Sequence, residues 1–271
     1  MEKKFKLGVI GGGFMSYAIV SGALNVGFLS PDEIIVSDIN AASLKKFSDK
    51  GIAITMDNAE ILNGAEFTLF AVKPQHFKDA VENIGDIACE KFISIMAGVK
   101  ITSIKNALRV KPIKVARCMP NTPCSVGNGA VGIDLTDFGT TDDAEFIKNL
   151  FSSFAKVVIT EENKLNAITG ISGSSPAYFY LFIKCLVEAG KKQGLSEEDA
   201  KNLAVNTMIG SGKMIFENSD KTLDELINAV CSKGGTTIEA IKVFNDFDLS
   251  GITEKAVSAC VKRAEELEKL Q

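Results

Sequence analysis

Lys6-Leu-Gly-Val-Ile10-Gly11-Gly-Gly13-Phe14-Met15-Ser16 is the stretch on which the reading of the whole chain turns. A short apolar run ends on three consecutive glycines, and a small residue follows three positions after the last of them. This fits G-x-G-x-x-G/A with Ser16 in the third place. Gly11 lets the chain turn tightly, Gly13 lets the backbone approach a pyrophosphate, and the small third residue lets a helix pack on the strand. A helix that begins there presents unpaired N–H groups and the positive end of its dipole to phosphates. The stretch predicts a strand, a turn and a helix, with a dinucleotide on the turn.

The same stretch sits in a run that could mislead. No residue from Leu7 to Pro31 is charged, and Lys3, Lys4 and Lys6 precede it, which suggests a membrane span or a signal peptide. Six glycines break the run up, with Ser16, Ser21 and Asn25, and no small-residue cleavage site follows a compact apolar core. It reads as a buried strand and a buried helix in a soluble, cytoplasmic protein.

Outward from there, apolar runs alternate with helical patterns. Strands are expected at Glu33–Ser37, Phe67–Val72, Phe92–Met96, Ile113–Arg117, Ala130–Asp134 and Lys156–Ile159. Helices are expected at residues 14–26, 42–49, 75–84, 104–108 and 142–154. That alternation implies right-handed crossovers and a parallel sheet covered on both faces, an α/β domain over residues 1–160. From residue 161 to 271 strand-like runs vanish. Helical patterns cover 177–193, 196–216, 222–229, 236–244 and 252–270, with Ser196 in a plausible N-cap region.

Composition narrows the function. The 271 residues carry 30 Lys+Arg against 34 Asp+Glu, a net charge of −4 without a basic cluster, which argues against a nucleic-acid partner. The single histidine, His76, excludes a metal site built on two or three imidazoles, and no metal is expected. Six cysteines with no C-x-x-C pair read as free thiols. Asp38, at the tip of the second strand, can accept hydrogen bonds from an adenosine ribose, so the sequence leans toward NADH without excluding NADPH. Ala71-Val72-Lys73-Pro74 and Met96-Ala97-Gly98 close the next two strands, at the carboxyl ends where doubly wound folds bind ligands.

Three further loops complete the pattern: Arg117-Cys-Met-Pro-Asn-Thr-Pro123, Thr169-Gly-Ile-Ser-Gly-Ser-Ser-Pro-Ala-Tyr178 and Cys231-Ser-Lys-Gly-Gly-Thr-Thr-Ile-Glu-Ala-Ile241. The glycines and hydroxyls of the last, at a helix N-terminus, make a nest for a small carboxylate. Taken together and in order, these motifs resemble the pyrroline-5-carboxylate reductases over essentially the whole chain. The resemblance implies a Rossmann domain followed by a helical dimerisation domain, assembled as a homodimer or a larger homo-oligomer. It implies reduction of the cyclic imine 1-pyrroline-5-carboxylate to L-proline with NADPH or NADH.

It also implies residue roles. Ile10, Gly11, Gly13, Phe14, Met15, Asp38, Asn58, Ala71, Val72, Lys73, Pro74, Ala97 and Gly98 match cofactor-binding positions. Gly234, Gly235 and Thr236 match the segment that holds the substrate carboxylate, and Thr237 matches the active-site threonine. Lys233 departs from the family, standing where proline is common. A hydroxyacid dehydrogenase of the same build would use a lysine such as Lys184, Lys191 or Lys192, but the adjoining loop reads SGSSPAY instead.

Overall fold

The computed structural model describes residues 3–82, 87–108 and 112–269. Asn83 and Ile84 of one expected helix, and Leu270 of the last, lie outside them. Two compact units divide the chain, residues 1–176 with 259–271, and residues 177–258.

In the first unit, eight strands form one sheet: β1 (Phe5–Ile10), β2 (Ile34–Ser37), β3 (Ala53–Thr55), β4 (Ala65–Phe70), β5 (Lys91–Ser94), β6 (Lys114–Pro120), β7 (Gly129–Asp134) and β8 (Ala155–Ile159). Their spatial order is β3-β2-β1-β4-β5-β6-β7-β8. The chain winds outward from β1 to β3, then returns to place β4 on the other side of β1. A crevice opens at such a reversal, outside the carboxyl ends of the strands. The helices that make the crossovers are α1 (Phe14–Asn25), α2 (Ala41–Ser48), α3 (Asn58–Gly64), α4 (Phe77–Val81), α5 (Ile101–Leu108) and α6 (Asp142–Ser152). A single turn, α7 (Leu165–Ile168), follows β8.

The strands read as apolar runs because both faces are covered. Leu7 and Val9 of β1 join a layer with Ile19 of α1 and Phe151 of α6. Phe5 and Ile10 face the opposite layer, with Ile61 of α3, Phe92 of β5 and Ile104 of α5. All six cysteines are free thiols. Burial pushes the Cys89, Cys118 and Cys124 thiols above their ordinary range, so they stay protonated and pack as small apolar groups.

The expectation of a wholly parallel sheet needs correcting. β7 runs antiparallel to β6, pairing Arg117 with Asp134 and Pro120 with Val131. Residues 121–128 alone join them. That is too short for a parallel crossover, which takes a dozen or more residues. β3, α3 and the single turn α7 have no counterpart among the expected elements. The edge strand β3 has only three residues, and α3 contains Asn and Gly, which are poor helix formers. Its N-cap was legible all the same: Asp57 accepts the Ala59 N–H at 2.8 Å. The helix expected over 75–84 is broken, with a 3-10 turn at Pro74–His76 before α4.

The second unit takes in most of α8 (Ser175–Lys192), then α9 (Glu197–Glu217), α10 (Leu223–Val230), α11 (Thr236–Asp246) and the first turns of α12 (Leu249–Lys269). Ser196 caps α9 as expected, its hydroxyl accepting the Asp199 N–H at 3.1 Å. Thr222 and Glu225 form a reciprocal capping box on α10. Phe179, Tyr180, Leu181, Phe182 and Leu186 of α8 are exposed, as are Met214, Ile215 and Phe216 of α9. Among the described residues, no helix is long and apolar enough to cross a membrane.

Candidate active site

The glycine turn stands where the sheet order reverses. Gly11 has a φ of 107°, and a Cβ there would come within 2.8 Å of the Ala71 backbone. Only glycine meets both demands, because L side chains avoid that region. Gly13 differs: a Cβ on it would meet nothing within 4 Å. It is the N-cap of α1, no side chain caps that helix, and no acidic residue occupies its first turn. The N–H groups there are left for an anion.

A cleft of about 540 Å³ opens beside this turn, within the range of ligand pockets. Ile10, Gly11, Gly13, Asp38, Asn58, Ala71, Val72 and Lys73 line it, so eight of the thirteen cofactor residues named from the sequence meet in one cavity. Phe14 is exposed at the start of α1, and Met15 packs on the core beside the turn. Pro74 opens the 3-10 turn after Lys73. Ala97 and Gly98 are not among the lining residues, although they follow β5, the neighbour of β4.

Asp38 binds the turn itself. One carboxylate oxygen accepts the Gly12 N–H at 2.7 Å, and the other accepts the Asn40 N–H at 2.8 Å. The end of β2 and the glycine turn are thereby one unit. Asn58 ties the next wall: it accepts from the Ser37 hydroxyl at 2.6 Å and donates to the Ala80 carbonyl at 2.9 Å. Lys46 adds positive charge, donating to the Gly13 carbonyl at 3.1 Å with its ammonium over the Tyr17 and Phe47 rings.

The sequence reading passed over Ser37, Ile39, Asn40, Ser43, Asp79 and Ala80, which also line the cleft. Asn40 carried a signal, since it caps α2 by accepting the Ala42 N–H at 3.0 Å. Asp79 and Ala80 reach the cleft wall with α4, whose Ala80 carbonyl is held by Asn58 at the start of α3, a pairing that no local pattern shows. Among the described residues, no cluster of three or more His, Cys, Asp and Glu is placed to hold a metal ion.

Gly234, Gly235, Thr236 and Thr237 belong to the helical unit. Gly235 is the N-cap of α11, and no side chain caps the helix. The first amides of α11 therefore stay available to a carboxylate. Thr237 is the second residue of α11, so its hydroxyl is not the helix cap. Lys191 is held by Glu197 at 2.8 Å and by Glu188 at 3.5 Å.

A glycine turn at the switch point of a doubly wound sheet, beside an open cleft, defines a dinucleotide-dependent oxidoreductase. Comparison with known proteins narrows the class. Residues 162–267 match the model for pyrroline-5-carboxylate reductase dimerisation, and residues 6–98 match that for coenzyme F420-dependent NADP oxidoreductase. A pyrroline-5-carboxylate reductase of Vibrio alginolyticus is 35% identical over 100% of both chains. That of Pisum sativum is 33% identical over 98% of this chain and 97% of its own. The structure of the Coxiella burnetii enzyme, 33% identical, superposes with a TM-score of 0.89 over 98% of this chain and 99% of that one. A Plasmodium falciparum pyrroline carboxylate reductase with NADP bound, 27% identical, gives 0.87 over 99% and 100%. The chain belongs to the pyrroline-5-carboxylate reductase family.

Proposed function

We propose that this protein reduces 1-pyrroline-5-carboxylate to L-proline at the expense of NADPH or NADH, the last step of proline biosynthesis, in the cytoplasm. The observation that carries the reading is the full-length match at 35% identity to a pyrroline-5-carboxylate reductase. The N-termini of α1 and α11 carry no side-chain cap, and they would supply the two anion sites that such a reaction needs. In this reading the stretch up to about residue 160 binds the cofactor, and the stretch after it provides the substrate and subunit contacts.

When bound, a nicotinamide dinucleotide would provide the hydride for the imine carbon. Gly11 and Gly13 would hold its pyrophosphate, with the amides of α1 as donors. Asp38 and Asn58 would border its adenosine end, and Ala71 to Pro74 would line its path toward the substrate. The chain's remaining work is positioning and charge stabilisation, which can supply most of the barrier reduction. Gly234 to Thr236 would fix the substrate carboxylate through backbone amides, and the Thr237 hydroxyl would bond the ring nitrogen. A protonated imine is already activated, so no strong general acid is needed.

Incubating the protein with the imine and either cofactor, and following nicotinamide absorbance, tests this directly. No turnover with both cofactors would reject it. NADH is expected to serve at least as well as NADPH, because the charge of Asp38, which lines the cleft, would repel a 2′-phosphate. Asp38→Asn keeps an oxygen for one of the two amides and removes the charge. It should shift the NADPH-to-NADH ratio of kcat/KM upward by about 5- to 10-fold, the worth of roughly 1 kcal/mol between partly solvated charges. An unchanged ratio would free Asp38 of any part in cofactor choice.

The helical unit is expected to carry the subunit interface. Ten large apolar side chains are exposed on α8 and α9, Leu203 and Ile209 among them, a surface of the kind that marks protein contacts. Light scattering at micromolar concentration should give a dimer or a larger species. A monomer would contradict the assignment.

A further inference from the structure

Arg117 is the largest fully buried side chain of the protein's described residues, at 0% exposure on β6, between β5 and β7. One of its nitrogens, Nη1, donates to Glu162 at 3.1 Å and forms an ion pair with Glu268 at 2.9 Å. Its Nε and Nη2 have no hydrogen-bond partner among the described residues. A buried guanidinium left in this state is costly, and an apolar residue of similar volume would serve stability as well or better. What the arginine does that an apolar residue could not is hold two acidic segments together.

Both segments lead to one loop, residues 97–101. The Glu162 oxygen that receives Arg117 also accepts the Ile101 N–H at 2.7 Å, at the first residue of α5. Glu268 lies in the last turn of α12, with Lys100 at 3.6 Å from its other oxygen. The residue before it, Leu267, packs on Gly98: a Cβ at Gly98 would stand 2.9 Å from the Leu267 Cβ, and Gly98 has a φ of 72°. The loop is thus gripped at Gly98, Lys100 and Ile101. Its approach is fixed too, since Ile95 donates to the Phe70 carbonyl at 3.1 Å, next to the cleft-lining Ala71.

We propose that Arg117 is a positioning residue for cofactor binding, setting the 97–101 loop at the carboxyl end of β5 through Glu162 and Glu268. The inference rests on the reading that Ala97 and Gly98 belong to the cofactor site. Without the cation, the two carboxylates repel one another and draw Ile101 and Leu267 apart, with the loop between them. Lysine at 117 keeps the charge but not the planar fork.

The test measures NADH and NADPH dissociation constants, kcat, the imine KM at saturating cofactor, and the melting temperature. The variants are Arg117→Met, Arg117→Lys, Glu162→Gln and Ala97→Leu. Arg117→Met should raise both cofactor dissociation constants by about 10-fold, the upper part of the range for residues acting through others, with the imine KM nearly unchanged. Arg117→Lys should recover part of that loss, and Glu162→Gln should show a smaller rise of about 3- to 5-fold. Should Arg117→Met fail to fold, the lysine and glutamine variants carry the test. A lowered melting temperature with unchanged cofactor affinity in these two would make the cluster purely structural and overturn the proposal. Ala97→Leu separates the two readings. If it weakens the cofactor while Arg117→Lys and Glu162→Gln do not, the Arg117 proposal alone fails. If it leaves cofactor affinity unchanged, the loop is not in the cofactor site and both fail.

Discussion

Gly11→Ala is expected to weaken binding of both NADH and NADPH by about 100-fold or more and to lower the melting temperature as well. Two costs combine. A non-glycine residue at a φ of 107° carries backbone strain of about 1–3 kcal/mol. The added Cβ would also meet the carbonyl carbon and oxygen of Ala71 at 2.8 Å. These are backbone atoms at the end of a central strand and cannot swing aside, and such overpacking costs about 1–3 kcal/mol more. The loop relieves both by leaving its native position, which is the position that presents the α1 amides to a pyrophosphate. Since about 1.4 kcal/mol is a factor of ten in affinity, the two terms set the scale of the effect. Gly13→Val is the matching control. It has open space around its Cβ and an extended backbone that any residue adopts. It should leave the melting temperature nearly unchanged and still exclude the cofactor. Calorimetric titration with a thermal melt on both variants decides: if Gly13→Val binds NADPH as well as the native protein, the pyrophosphate does not lie on this turn.

Thr237→Ala should lower kcat/KM for the imine by about 10- to 200-fold, because one hydrogen bond to a charged group is worth roughly 1.5–3 kcal/mol. The substitution keeps the backbone amide and removes only the hydroxyl, so cofactor affinity should hardly move. Thr237→Ser should recover much of the activity. The competing account is that the hydroxyl only caps α11, in which case alanine would cost about 1 kcal/mol of stability and spare catalysis. The structure weakens that account, since the N-cap is Gly235 and Thr237 lies inside the helix. Steady-state kinetics and a melting curve on the alanine variant separate them. A lowered melting temperature with intact kcat/KM would reject the active-site role.

Much of the cofactor side was legible because its requirements are local. A tight turn that needs positive φ must be glycine, and a strand buried on both faces must be a continuous apolar run. Both constraints act on neighbours in the chain, so KLGVIGGG displays them directly. Asn58 was found only through the family resemblance. Its neighbourhood reads as polar loop, and its value comes from bridging Ser37 and Ala80, residues far from it in sequence. Arg117 heads a polar loop motif, and nothing in that motif marks a role for it. An arginine at the head of a polar loop looks solvated until a strand on either side and a C-terminal helix enclose it.

The sequence by itself determined the alternation of strands and helices, the place of the glycine turn, the change to helices near residue 161 and the family. Each of these is written in local backbone demands, in hydrophobic periodicity or in contiguous motifs. Only the tertiary structure decided that β7 turns back against β6, that Asp38 spends both carboxylate oxygens on backbone amides, that α4 brings Asp79 and Ala80 into the cleft wall, and that Arg117 is buried between Glu162 and Glu268. These depend on which distant segments meet. That is set by the total burial and hydrogen bonding of the folded chain, because a charged or polar side chain carries no mark of its eventual partner until packing removes the water around it.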